Sequence, residues 1–193
     1  MIELWRDENK LFDLDGKGNG EAKNVRDHRR FWRGFIHKKI GDYEEQRMEK
    51  KPKLRTYRTF KTKLKLEKYL DVSNVKGRKL LTSLRSGSNT LEIEKGRWRK
   101  IDKNQRFCLQ CDTKRVEDEK HMVVECERYV NERGLLFDQI SALSEGTWNL
   151  RQMVPHNQFI LLMAGTSDKY DKKISSAFQS FLVKCFKTRK NAG

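Results

Sequence analysis

A mainly α-helical fold, small and irregular, is what this sequence predicts, and three features predict it. Ile174, Ala177, Phe178, Phe181, Leu182, Cys185 and Phe186 recur at i, i+3, i+4, i+7, i+8, i+11 and i+12, one continuous apolar face of a helix. Helical spacing also runs through residues 25–70, 75–84 and 130–143, while period-two alternation is confined to a few residues around Leu91. Finally, Cys108, Cys111, His121 and Cys126 stand in the spacing C-x2-C-x9-H-x4-C, a ligand set for one tetrahedral metal ion.

Composition narrows the class. A chain of 193 residues suits one compact unit with appendages. Lys and Arg number 43 against 27 Asp and Glu, a formal net charge of +16, which points to a polyanionic partner. With 36% hydrophobic and 10% aromatic residues the chain is polar, yet apolar enough to fold. Charges follow directly on Met1-Ile2-Glu3-Leu4-Trp5, so no secretory signal is expected. No apolar run reaches the roughly eighteen residues of a membrane span. Cysteines at metal spacing in such a chain imply a reducing compartment, nuclear or cytoplasmic.

Four segments are expected: a poorly specified N-terminal stretch at 1–24, a basic helical region at 25–100, a metal-binding segment at 101–130 and C-terminal helices at 131–193. The first ends in the glycine-rich loop 13–20. Counted from Asp13, its fifth and twelfth positions are Lys17 and Asn24 rather than calcium-binding oxygens and a Glu, so an exposed turn is expected. From Val25 to about Leu70 the chain reads as helical, with breaks near Gly41 and at Pro52, which lacks an amide hydrogen. Leu54, Tyr57, Phe60/Lys61 and Leu64 form an apolar stripe with the cations on the other faces. Acidic residues are sparse between 50 and 68, so most of these cations look available to phosphates.

Asn74 is placed to cap a helix through Val75, Leu80, Leu81 and Leu84 that ends at Gly87. Leu91 and Ile93 alternate with Glu92 and Glu94 like a short half-buried strand or extended arm, and the cluster Gly96-Arg97-Trp98-Arg99-Lys100 follows. Val130 to Leu143 reads as helix, with Leu135, Leu136, Ile140 and Leu143 on one side. Pro155 breaks the chain, 159–164 is an apolar run, and 165–168 makes a turn. In the final helix, Cys185 belongs to the core face rather than to a ligand set.

Zinc prefers thiolate and imidazole donors, and a Cys-x2-Cys turn lets two thiolates approach one ion. One structural Zn2+ held by Cys108, Cys111, His121 and Cys126 is therefore expected. Residues 112–120 between Cys111 and His121 are polar enough to loop outward, and His121 would enter on a helix. His121 and Cys126 are five residues apart, about 500° of ideal helical rotation, so the helix must end or distort near Cys126. Phe107, Met122, Val123 and Val124 would pack around the ion. Four protein ligands leave no open position, so the metal should build shape rather than perform hydrolysis. No phosphate loop, nucleophile elbow or H-E-x-x-H pair is present, and His28, His37 and His156 have no evident partners in sequence.

Leu54-Arg55-Thr56-Tyr57-x-x-Phe60-Lys61, Leu84-Arg85-Ser86-Gly87, Leu91-x-Ile93-Glu94-x-Gly96-Arg97, Cys108-x2-Cys111, Glu117-Asp118-Glu119-x-His121 and Cys126-x-x-Tyr129 follow one another in order. This arrangement, over roughly residues 53–137, resembles the C-terminal region of reverse transcriptases of non-LTR (LINE-type) retrotransposons. The resemblance implies Cys-Cys-His-Cys zinc binding at the positions already named, help in holding RNA or DNA, and the polymerase part of a retroelement reverse transcriptase as a partner. The chain departs from that family in lacking its adjacent catalytic aspartates, which Phe12-Asp13-Leu14-Asp15 does not supply.

The expected function is therefore non-enzymatic: zinc-stabilised gripping of RNA or DNA. The expected contacts are Arg55, Arg58, Lys61, Lys63, Arg85, Arg97, Arg99 and Lys100 on phosphates, with Trp98 stacking on an unpaired base. The alternatives are a zinc-stabilised docking or dimerisation module, which would need surplus apolar surface on the C-terminal helices, and a retroelement fragment without selected function.

Overall fold

The computed structural model of the chain describes residues 25–61 and 67–189. Expectations for the loop at 13–20 and for Lys63, Leu64, Lys65 and Leu66 lie outside the described residues. The described part is mainly helical, and its β-pairing is one isolated antiparallel bridge between Phe107 and Val116. Among the described residues, no helix is long and apolar enough to cross a membrane.

The chain divides into two units, residues 1–46 and 47–193. Helix α1, Val25–Glu49, supplies the described part of the first. It runs through Gly41 where a break was expected. A single glycine costs a long helix only about 1 kcal/mol, and the residues on either side continue the helix. Ile36, Ile40 and Tyr43 are exposed, as are Phe31 and Trp32.

In the second unit Pro52 does interrupt the helix. It opens a 3-10 turn, Pro52–Leu54, that leads into the single-turn helix α2, Arg55–Arg58, so the long amphipathic helix expected here is reduced to two turns. A 3-10 turn at Lys68–Asp71 precedes α3, Val75–Arg85, which starts as predicted with Asn74 Oδ1 accepting from the Gly77 N–H at 2.9 Å. Gly87 follows with φ of 63°, the left-handed conformation glycine adopts without a Cβ penalty.

Helix α4, Glu92–Trp98, replaces the expected strand. A half-buried strand would have turned Glu92 and Glu94 to solvent. Instead both are buried, as are Leu91 and Ile93, because arginines neutralise the two carboxylates: Arg99 pairs with Glu92, and Arg97 and the distant Arg55 pair with Glu94. Helix α5, Val130–Leu143, buries Leu136, Phe137 and Ile140, whereas Leu135 is exposed rather than on the packed side. Helix α6, Pro155–Ala164, starts on Pro155 at a position where no amide hydrogen is needed. Gly165 (φ 82°) turns the chain toward α7, Asp171–Thr188.

Helix α7 is the centre of the unit and packs chiefly on α3 and α5. Its predicted face is buried through Ile174, Ala177, Phe178, Phe181, Leu182 and Cys185, with Phe186 packed at the edge. Each such large apolar side chain contributes about 1.5–3 kcal/mol. The approach of α3 to α7 is close: a Cβ on Gly77 would lie 2.5 Å from Gln179 Cβ. One core runs from Leu81 through Cys108, Met122, Val123 and Cys126 to Cys185, so the Cys/His segment and the C-terminal helices share an interior. Phe159, Leu161, Leu162 and Met163 are inside it as well.

Candidate metal centre

Two local structures bring the four donors together. In the first, the arms around Cys108–Arg115 pair back to back: the Cys108 N–H donates to Arg115 O at 2.8 Å and the Glu117 N–H to Arg106 O at 2.9 Å. Lys114, with φ of 50°, turns the loop between them. The Gln110 N–H points at Cys108 Sγ (3.4 Å), and the Thr113 hydroxyl lies 3.1 Å from Cys111 Sγ.

The second is a π turn, His121–Glu125. Asp118 Oδ1 accepts from the His121 N–H at 2.8 Å and so caps its start. Its last bond runs from the Cys126 N–H to His121 O, 2.7 Å, an i to i+5 pairing. The helix therefore distorts where the 500° argument required. The wider turn returns residue 126 to the face of residue 121, and Cys126 then leaves in an extended conformation (φ −61°, ψ 126°).

The ligand atoms of Cys108, Cys111, His121 and Cys126 all lie within 4.8 Å of one another and could hold a metal ion. Cys108 Sγ is 3.9 Å from Cys126 Sγ, and Cys111 Sγ is 3.4 Å from His121 Nε2. His121 and Cys126 are buried, as are Met122, Val123 and Val124 around them. Phe107 is exposed and does not join that packing, because its side of the bridge faces solvent. The hydrogen bond from Cys108 to Cys126, with burial, pushes the Cys108 thiol up to about 12, while the same bond pulls Cys126 below the usual thiol range. Burial works to lower His121, but the hydrogen bonds and charge of Cys108 and Cys111 raise it on balance. Buried His121 Nδ1 makes no hydrogen bond and faces Glu125 Oε2 at 3.9 Å, leaving Nε2 turned to the thiols.

Buried carboxylates in and before this segment are held by partners that sequence reasoning did not find. Glu119 accepts from Arg55 Nη2 (2.7 and 2.8 Å), Thr56 Oγ1 (3.0 Å) and Asn89 Nδ2 (2.9 Å), and Glu94 accepts from Arg55 Nη1 (2.8 Å). Glu117 is held by Arg189 through two bonds of 2.6 Å.

These pairs correct the expected phosphate contacts. Arg85 is only 3% exposed. Its guanidinium donates to Met163 O and Glu67 Oε2 and stacks on Phe60 (4.5 Å) and Tyr69 (4.6 Å), so it does not reach a surface where phosphate could meet it. Arg55 is committed to Glu94 and Glu119, and Lys61 is paired with Glu67 with its side chain almost fully buried. Acidic partners were expected to be sparse because they are sparse in the local sequence. For Arg55 the structure supplies them from 39 and 64 residues away, whereas Arg85 and Lys61 share Glu67, which lies within the local sequence. Arg97 pairs with Glu94 at 2.7 Å but stays a third exposed, and Arg99 pairs with Glu92 while half exposed. Arg58 and Lys100 are exposed. Trp98 is 75% exposed, with Lys53 Nζ 5.6 Å and Arg97 Cζ 5.9 Å from its ring. Lys63 lies outside the described residues.

Comparison of the chain with protein-family models, with curated proteins and with solved structures returned no match.

Proposed function

We propose that this chain is a zinc-stabilised nucleic-acid-binding module that grips RNA or DNA without acting as an enzyme. Donor chemistry and size favour zinc as the metal. With bonds of about 2.3 Å to sulfur and 2.0 Å to nitrogen, a regular tetrahedron has S–S edges of about 3.8 Å and S–N edges of about 3.5 Å. The quartet has one S–S separation of 3.9 Å and one S–N separation of 3.4 Å. Three thiolates and one imidazole complete the shell, which assigns the ion a structural role.

The observation that carries the binding role is the exposed Trp98, flanked by Lys53 and Arg97 and followed by exposed Arg99 and Lys100, on a chain of net charge +16. An exposed indole with cations around it suits stacking on an unpaired base while the cations meet phosphate. The motif order that resembles the C-terminal region of a non-LTR retrotransposon reverse transcriptase agrees with this role and makes the polymerase part of such an enzyme the favoured protein partner.

Titration of labelled single-stranded RNA at several salt concentrations tests the reading. Log affinity should fall linearly with log salt, by about 0.7 per phosphate contact, and Trp98→Ala should weaken binding by about 1–3 kcal/mol with little change in that slope. An affinity indifferent to salt overturns it. A docking role has one specific observation in its favour, the exposed Ile36, Ile40 and Tyr43 of α1. Sedimentation showing a stable monomer excludes docking between copies.

A further inference from the structure

We propose that Arg189, at the end of α7, is a positioning residue for the metal centre and acts on it through Glu117; the inference rests on the zinc reading above. Glu117 is fully buried, and its Oε1 lies 3.5 Å from Cys108 Sγ, as an acceptor for the thiol proton. Metal binding requires Cys108 as thiolate, so that proton is lost and two anions are left facing each other out of water. The cation that meets Glu117 is Arg189, whose Nη1 and Nη2 donate to Oε1 and Oε2 at 2.6 Å each, with side chains 8% and 1% exposed. The Glu92 N–H adds a third bond, to Oε2 at 2.8 Å. A guanidinium fork held this way takes up the carboxylate charge while leaving the thiolate to the metal.

Arg189 and Glu117 are 72 residues apart, and Glu117 also joins the metal loop to α4, its carbonyl accepting from the Ile93 N–H at 3.1 Å. Loading of the metal and seating of the end of α7 are therefore coupled, and each strengthens the other.

Zinc affinity, measured by competition with a chromophoric chelator, tests this on the full chain and on R189A, R189K, E117Q and the double variant E117Q/R189A. R189A should weaken zinc binding about 10–100-fold, the usual effect of removing an outer-shell partner, and R189K should fall between. E117Q, which removes the carboxylate facing the thiolate, should bind zinc at least as tightly as wild type. E117Q/R189A should recover to within about threefold of E117Q, because no unpaired carboxylate remains. A purely structural role for Arg189 would leave the double variant as weak as R189A. R189A within twofold of wild type, absence of recovery in the double variant, or E117Q tenfold weaker than wild type each overturn the inference alone. The last needs only E117Q, so it holds if R189A fails to fold. A wild-type chain that takes up no zinc overturns the metal reading and this inference together.

Discussion

Removing the metal is the perturbation with the largest expected effect. His121, Cys126 and Cys108 are buried, and the two cysteines share one core with α5 and α7. Without a cation, three thiols and an imidazole crowd within 4.8 Å and must hold protons in place of a metal. A ligand bound only by the folded state stabilises it by RT ln(1 + [L]/Kd), about 4 kcal/mol at a thousandfold excess over Kd. In a unit of about 150 residues each kcal/mol moves the midpoint by about 2–4 °C, so stripping the zinc should lower Tm by about 8–16 °C. Differential scanning calorimetry of the protein purified without chelators, before and after dialysis against one, measures the shift, and native mass spectrometry should count one zinc per chain. Cys126→Ser should reproduce the loss without a chelator, since it removes a ligand while keeping the backbone N–H that closes the π turn. A protein that carries no metal, or whose midpoint is the same in both states, refutes the reasoning.

Two helical glycines give opposite expectations. Gly77→Ala gains about 1 kcal/mol of helix propensity but forces α3 from α7, where Gln179 Cβ stands 2.5 Å away and cannot swing aside; overpacking costs about 1–3 kcal/mol, so urea denaturation should show a net loss. Gly134→Ala meets only Arg151 Nη2, at an ordinary contact distance of 3.4 Å, and should stabilise by about 0.5–1 kcal/mol; equal effects at the two sites would contradict the packing described. Arg85→Ala should destabilise by about 1.5–3 kcal/mol, since it removes the buried charge-assisted bonds to Met163 O and Glu67 while Lys61 still meets that carboxylate, yet leave the salt slope of RNA binding unchanged, whereas Lys100→Gln should lower that slope by about 0.7 at little cost in stability. Asp168 accepts from Trp148 Nε1 and Thr166 Oγ1 at 2.7 Å each; burial works the other way, but these bonds hold its carboxyl below the usual range. Its contribution is therefore complete above about pH 4 and lost as pH falls through the depressed value, and Asp168→Asn should flatten the acid limb of the stability curve.

Periodicity and capping are short-range properties, and what depends on them was legible in the sequence. The face of α7, the Asn74 cap, the turn at Gly87 and the helix at 130–143 all follow from residues within a few positions of one another. The metal quartet was legible for a related reason: donor type and spacing restrict what backbone can connect them. The rotation between His121 and Cys126 even required a distorted turn, although which distortion, a π turn, depended on how Met122, Val123 and Val124 pack.

Charge was misread most where its partners are remote in sequence, as for Arg55. Composition alone determined that this chain is strongly basic, with a surplus of cations that no internal pairing can neutralise. Which cations remain outside was decided by the fold. Burying Glu92, Glu94, Glu117 and Glu119 beside the metal segment demanded counter-charges, and arginines as distant as Arg55 and Arg189 were drawn in to supply them. The strand expected at Leu91–Glu94 became a helix for the same reason: a glutamate paired with arginine can sit in an interior that an unpaired one cannot enter. Local sequence determines helix faces and ligand spacing through bonded geometry, whereas the division between structural and exposed charge is a desolvation problem that only the assembled interior resolves.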